Sequence, residues 1–199
     1  MQRTFITIGH RAKTTIDFEF NDLPGSGGGI DTLARCLATA FCLSNGIRKE
    51  TRVFLILQGG KDAPKVIRVC GSELKGLNPD ERSIAGIIRA ALKKKAVKGV
   101  WTMSSPGVYV SKASFGDVLR ELSEEGVSFI HLRESGVNLP DFEFPEHPCF
   151  ILGDNTDITE SEENMLQAFS YINVSVGPRS YHADHCVTMV QIEFDRRNL

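Results

Sequence analysis

The chain has 199 residues, 41% of them hydrophobic and 24% charged, a composition of ordinary folded domains that excludes collagen-like and disordered classes. No apolar run approaches the ~20 residues of a membrane helix, and the first residues show neither the apolar core nor the cleavage pattern of a secretory leader, so a cytoplasmic protein without a membrane partner is expected, as one domain or as one domain with a substantial appendage. The net charge of −2 hides an asymmetry: residues 1–100 carry 17 Lys and Arg against 9 Asp and Glu, and residues 101–199 carry 6 against 16, which either marks a polyanion-binding face or lets the two halves neutralise each other across a contact.

Residues 3–9 predict a strand rich in β-branched and aromatic side chains. The apolar–acidic alternation Ile16-Asp17-Phe18-Glu19-Phe20 predicts a second. Leu23 to Gly29 breaks regular structure. Ile30, Leu33, Leu37, Ala40 and Phe41 then recur at helical spacing, and Ser44-Asn45-Gly46 stops that helix. The apolar run Val53 to Leu57 predicts a strand buried on both faces, and residues 65–70 predict another. Leu77-Asn78-Pro79-Asp80-Glu81-Arg82 opens a helix that turns Ile84, Ile87, Ile88 and Leu92 inward. It closes on Lys93-Lys94-Lys95, cations that suit the negative end of a helix dipole and equally a phosphate backbone. A loop follows, with a short strand at 108–110, a helix at 115–122 and a strand at 127–132. A polar connection at 133–148 leads to a strand at 150–152 closed by Gly153. The capping box Thr159-Glu160-Ser161-Glu162 opens the next helix. A strand at 172–176 ends in Gly177-Pro178, and a last helix spans 182–196. Strands alternating with helices predict an α/β layer architecture around a largely parallel sheet.

Three segments could carry chemistry. Gly25-Ser26-Gly27-Gly28-Gly29, just before a helix, is either a flexible turn or an anion cradle of free backbone amides. It matches neither the dinucleotide fingerprint nor the Walker loop. Asp31 and Arg35, one turn apart on that helix, form a surface ion pair or face a substrate. His182-Ala183-Asp184-His185-Cys186 is the densest run of reactive side chains. It meets no established zinc spacing, even with His147 or Cys149 as a third ligand, so no metal is expected. A cysteine packed near a helix start, with Asp184 capping, accounts for it equally well. The five cysteines, an odd number without a CxxC pair, point to a reducing compartment. Finally, Leu152-Gly153 and Val176-Gly177-Pro178 sit where apolar strands end, the place where open parallel sheets bind ligands.

Taken in order, Leu23-Pro24-Gly25-Ser26 leading to Asp31 and Cys36, Gly71-Ser72-Glu73-Leu74, Pro79-Asp80-Glu81-Arg82, Ser105-Pro106-Gly107, Phe150-Ile151-Leu152-Gly153-Asp154, and Tyr181-His182-Ala183-Asp184-His185-Cys186 with Asp195-Arg196 resemble the TrmY family, the archaeal tRNA pseudouridine-54 N1-methyltransferases. The resemblance implies one SPOUT α/β domain over 1–199. It would have a parallel-rich sheet, helices on both faces, and a deep C-terminal trefoil knot at about 127–199 that binds S-adenosylmethionine in a bent shape. Leu132, Gly153, Val176, Gly177, Pro178, Arg179, Ser180, Tyr181 and Cys186 match the family's cofactor-contacting positions. It also implies a homodimer with its site near the subunit interface, and tRNA as partner. On this reading Asp31 orients or deprotonates the base, and Cys186 lines the pocket without forming a bond. Arg11, Arg35, Arg48, Lys49, Lys93, Lys94 and Lys95 are the candidate RNA contacts. Two positions depart from the family pattern: Gly29 stands where a basic residue is usual, and Arg179 adds a cation to the cofactor loop. Pseudouridine in ribosomal RNA as acceptor, and a non-catalytic RNA-binding protein of the same fold, are the alternatives.

Overall fold

The computed structural model describes residues 1–199. In chain order it contains β1 (Arg3–Lys13), α1 (Leu23–Ser26), α2 (Ile30–Phe41), β2 (Cys42–Leu43), β3 (Gly46–Ile47), β4 (Thr51–Gly59), β5 (Lys65–Cys70), α3 (Glu81–Leu92), β6 (Thr102–Ser105), β7 (Val108–Ser111), α4 (Phe115–Glu124), β8 (Ser128–Asn138), a 3-10 turn at Leu139–Asp141, β9 (Pro148–Gly153), α5 (Glu160–Gln167), β10 (Tyr171–Ser175) and α6 (Ala183–Arg196). Eight strands form one sheet in the order β10-β8-β9-β1-β4-β5-β7-β6. The first five are parallel, and β5, β7 and β6 continue the sheet antiparallel. The expected parallel sheet is therefore mixed at one end.

Side-chain alternation explains why both faces of this sheet are buried. Phe5 of β1 and Val53, Leu55 and Leu57 of β4 point into a core shared with α2, α3 and α6. Ile6, Ile8, Phe54 and Ile56 point the other way, onto Phe115, Val118, Leu119 and Leu122 of α4 and Leu166 of α5. Each such side chain, fully removed from water, contributes roughly 1.5–3 kcal/mol. The helices start on local caps. Asp80 accepts from the Ser83 amide at 2.9 Å, and Ser114 with Asp117 and Thr159 with Glu162 close capping boxes on α4 and α5.

Several stretches differ from expectation: β1 runs on to Lys13, the short helix α1 occupies Leu23–Ser26 within the expected break, a hairpin of the two-residue strands β2 and β3 follows α2, and β6 lies in the expected loop. Residues 16–20 are not a strand. Phe18 and Phe20 flank the Arg89 guanidinium of α3, at 5.4 and 4.7 Å from its central carbon, so the alternation reflects a loop folded onto a helix. Strand β8 also runs six residues past residue 132, into what reads as a polar connection. Its pairing with β10 jumps from His131–Asn173 to Val137–Val174, so residues 132–136 leave the ladder as an excursion at the sheet edge.

Much of the charge asymmetry is consumed inside the fold. Arg35 reaches Asp184, Arg48 reaches Asp195, Arg52 reaches Glu125, and Arg68 reaches Glu121. Arg3, 1% exposed, ion-pairs with Glu50 and lies 4.0 Å from Asp195. Neutralisation between the halves thus accounts for these arginines, while Arg11, Lys93, Lys94, Lys95 and Lys98 stay exposed.

Candidate active site

A cleft opens beyond the carboxyl ends of β8, β9 and β10, the end of a parallel sheet where loops diverge and ligands bind. Three segments wall it. The β8 excursion supplies Leu132, Arg133 and Glu134. The β9–α5 turn supplies Leu152 to Asp157. The β10–α6 loop and first turn supply Val176, Gly177, Arg179, Ser180, Tyr181, Ala183 and Cys186. Eight of the nine expected cofactor residues therefore meet in one place. The exception is Pro178, which is exposed in the same loop and does not line the cleft. Gly153 is required by close approach: a Cβ there would lie 1.9 Å from the Thr156 carbonyl oxygen.

Cys186 is half-buried, and its thiol is pushed up to about 11 by burial and by the nearby carboxylates of Glu134 and Asp184. At neutral pH it is an uncharged wall rather than a nucleophile. Asp184 does not cap α6. The cap position is His182, which makes no side-chain cap bond, and Asp184 turns inward to 3.7 Å from Arg35 Nε. Its Oδ1 is buried without a hydrogen bond. The His182 and His185 rings sit 5.5 Å apart. Cys149 is buried within β9, and no cluster of three or more metal-ligating side chains forms.

Asp31 lies in the first turn of α2, buried beside the cleft rather than lining it. Arg35 donates to Asp31 Oδ2 and to Glu81, both at 3.1 Å. Arg35 is thus fully engaged by carboxylates of α2, α3 and α6, which argues against a role as a phosphate contact. Asn155 of the cleft wall approaches Thr32 of α2 at 3.4 Å, so α2 and the cleft share a border. Gly29, the N-cap of α2, has φ +114°. A basic side chain at that position would need a different backbone.

Arg48 is also excluded as an RNA contact. Its guanidinium is buried and bidentate on Asp195, at 2.6 and 2.5 Å. Lys49 is exposed, but its ammonium donates to the Leu74 carbonyl at 2.6 Å. Lys93 to Lys95 form an exposed cationic end to α3, and Arg11 stands exposed near the C-terminal end of β1.

One group escaped sequence reasoning. His10, three residues before the end of β1, has Nδ1 3.2 Å from Asp154 Oδ1 and Nε2 3.0 Å from Glu162 Oε2. Burial disfavours the cation, but the hydrogen bonds to Glu162 and Asp154 outweigh it and raise the imidazole pKa. Glu162 is pushed up by burial, and bonds from Thr159, His10 and Gln58 bring its net pKa below the ordinary value. The signal available was a histidine two residues after Ile8, which pairs with Gly153; it becomes meaningful only once β1 and β9 are known to pair.

Comparison with known proteins agrees with this geometry. A family described as "Putative SAM-dependent RNA methyltransferase" matches residues 2–199. The tRNA (pseudouridine(54)-N(1))-methyltransferase of Methanosarcina mazei is 43% identical over 98% of this chain and 91% of its own length. The protein of the same name from Thermococcus kodakarensis is 43% identical over 97% and 98%. Among solved structures, Archaeoglobus fulgidus Nep1 bound to S-adenosylhomocysteine superposes with a TM-score of 0.66 at 15% identity, covering 100% of this chain and 99% of that one. At that identity the likeness speaks for the fold alone.

Proposed function

The chain belongs to the SAM-dependent RNA methyltransferase family that matches it over residues 2–199, and from that premise we propose that it transfers the methyl group of S-adenosylmethionine to N1 of pseudouridine 54 in the T-loop of tRNA. The carrying observation is the convergence of the three loops on one cleft, in a chain alike over its whole length to relatives bearing that activity's name.

The lining fits the cofactor's chemistry. Leu132, Leu152, Val176 and Ala183 offer apolar contact to an adenine. Glu134, Asp154 and Asp157 would offer negative charge to the cofactor's sulfonium and ammonium groups, and Arg179 would offer a cation to its carboxylate. Once bound, the cofactor supplies a methyl on sulfur that is already a good leaving group. The protein then has to align the base and receive a proton, because pseudouridine is joined to ribose through carbon and its N1 carries hydrogen. Asp31, held by Arg35 at the border of the cleft, is the proposed proton acceptor or orienting group. Cys186 packs the pocket and stays protonated. Lys93, Lys94, Lys95 and Arg11 are the proposed phosphate contacts.

We extend the reading to topology and assembly. The path from β9 through α5 to β10 passes over β8. Helix α6 then returns to pack on α2, and Arg197 just beyond it donates to the carbonyls of Leu139, Pro140 and Phe142. That arrangement supports a trefoil knot threaded through the 139–147 loop; the homodimer and the cytoplasmic location are carried over from the family resemblance. The test is methyl transfer from tritiated cofactor to pseudouridine-containing tRNA, with the product nucleoside mapped by mass spectrometry. Label at N1 of residue 54 is expected. Label elsewhere, or none, overturns the assignment.

A further inference from the structure

The cofactor reading leaves open what holds the β9–α5 turn in place. That turn is polar, and Asn155, Thr156 and Asp157 are exposed. It forms one wall of the cleft, and its far end is tied down at Asp157, which accepts from the Ile158 amide at 2.8 Å and lies 3.1 Å from His131 Nε2 of β8; its near end, at Asp154, rests on other groups. The side chains beneath it are different in kind. Asp154 and Glu162 are 8% and 6% exposed at their side chains, and His10 between them is 15% exposed. Glu162 is held from three sides: the Thr159 amide and hydroxyl donate to Oε2 at 2.7 and 2.8 Å, and Gln58 of β4 donates to Oε1 at 2.7 Å. Asp154 reaches the N-terminal end of α2, where its Oδ2 would touch a Cβ at Gly29 at 3.1 Å.

We propose that His10 is a positioning residue of the methyltransferase: as an imidazolium bridging Asp154 and Glu162 it clamps the β9–α5 turn between β1 and α5, so that the cofactor cleft is fully formed only when His10 carries its proton. This rests on the cleft being the cofactor site.

The geometry makes the argument by counting donors. A neutral imidazole has one N–H and can serve one carboxylate only, while the second ring nitrogen would present a lone pair to the other. Both ring nitrogens lie within hydrogen-bond distance of a carboxylate oxygen, and only the cation donates to both; a neutral ring would keep Glu162 through Nε2 and turn Nδ1 into an acceptor for the Thr156 hydroxyl at 3.1 Å, releasing Asp154. The charged groups bearing on His10 are Asp154 from the turn and Glu162 from α5. The other neighbours are neutral: the Thr156 hydroxyl at 3.1 Å and, through Glu162, the Gln58 amide of β4. The raised pKa has the matching sign. Order in the turn is complete at low pH and is lost as pH rises through the titration of His10 in the folded protein.

The test is calorimetric binding of S-adenosylhomocysteine from pH 6 to pH 9 by wild type, H10Q and E162Q, with the His10 ring followed by NMR in the full-length protein. The ligand's own amine also titrates in this range, so the comparison between proteins carries the result. Wild type should bind about tenfold more tightly on the acid side of the His10 titration, a change equivalent to one charge-assisted hydrogen bond. H10Q should be weak at every pH and lose that step. E162Q removes one negative neighbour, so it should keep the step and move its midpoint to lower pH, along with the NMR midpoint. Uptake with superimposable pH profiles in all three proteins overturns the role of His10 and leaves the cofactor site standing. No uptake by wild type at any pH overturns the cofactor site itself, and this role with it.

Discussion

Asp31 shares its guanidinium partner with Glu81 and Asp184, so Arg35 is held from three helices and in turn holds Asp31 in one orientation. Replacing Asp31 with Asn keeps the shape and removes the charge. Turnover should fall by about 100-fold or more, while S-adenosylhomocysteine affinity, measured by calorimetry, stays within a few-fold of wild type. Equal losses in both would make Asp31 a cofactor-site residue. Cys186 offers a chemical test. With its thiol at about 11, iodoacetamide should modify it at pH 7.5 more slowly than a free cysteine, and the rate should climb steadily towards pH 11. Peptide mapping separates it from Cys42 and Cys70; a fast reaction at pH 7.5 contradicts the protonated wall. The runs around these two residues singled them out in the sequence with bland alternatives beside each, and their proposed roles come from the family resemblance. His10 was not singled out, because its meaning lies in two carboxylates more than 140 residues away.

At the scale of elements, helix α6 is fastened to the strand layer by Arg48 and Asp195. Arg48→Ala strips the buried half of that pair and leaves the exposed half in water, so a loss of ~1–3 kcal/mol is expected in denaturant titrations, with tRNA affinity little changed. The pair also has a pH signature. The hydrogen bond from Arg48 holds the Asp195 carboxyl below the ordinary value. Its contribution is present above the unfolded pKa and lost as pH falls through the folded one. The acid-side loss of stability below pH ~4 should therefore shrink in R48A; an unchanged acid limb would remove Asp195 from the account. Thr159→Ala opens the α5 capping box and should cost about 1 kcal/mol, while also weakening cofactor binding because Thr159 holds Glu162, the partner of His10 beneath the turn. Elements with strong periodicity, such as α2 and β4, were readable from their side chains. Residues 16–20 misled because aromatic residues packed around Arg89 imitate strand alternation. The β8 excursion was invisible because its five residues are placed by pairing with β10, a strand that follows it by more than thirty residues.

For the whole molecule, the decisive quantity is how much of the basic half remains available to RNA. Five arginines are consumed by acidic partners in the second half, which leaves the cationic end of α3 as the main reserve. Binding of tRNA should weaken steeply with salt. Replacing Lys93, Lys94 and Lys95 together with Ala should lower the slope of log K against log salt by about 2–3. An unchanged slope moves the RNA surface elsewhere. Layer order and sheet class followed from the alternation of strands and helices. The antiparallel extension did not, because nothing in residues 65–111 distinguishes a returning strand from a crossing one.

The register of the sheet has a consequence for how the protein is made. Strand β1 is paired on one side by β4 and on the other by β9, with Thr4 opposite Cys149 and Ile8 opposite Gly153. During translation the first apolar strand emerges with one edge bare, and that edge is covered only after roughly 150 residues have been joined. Domains with such distant pairings fold slowly, so the nascent strand stays a sticky, half-dressed ribbon until β9 has followed it out of the ribosome.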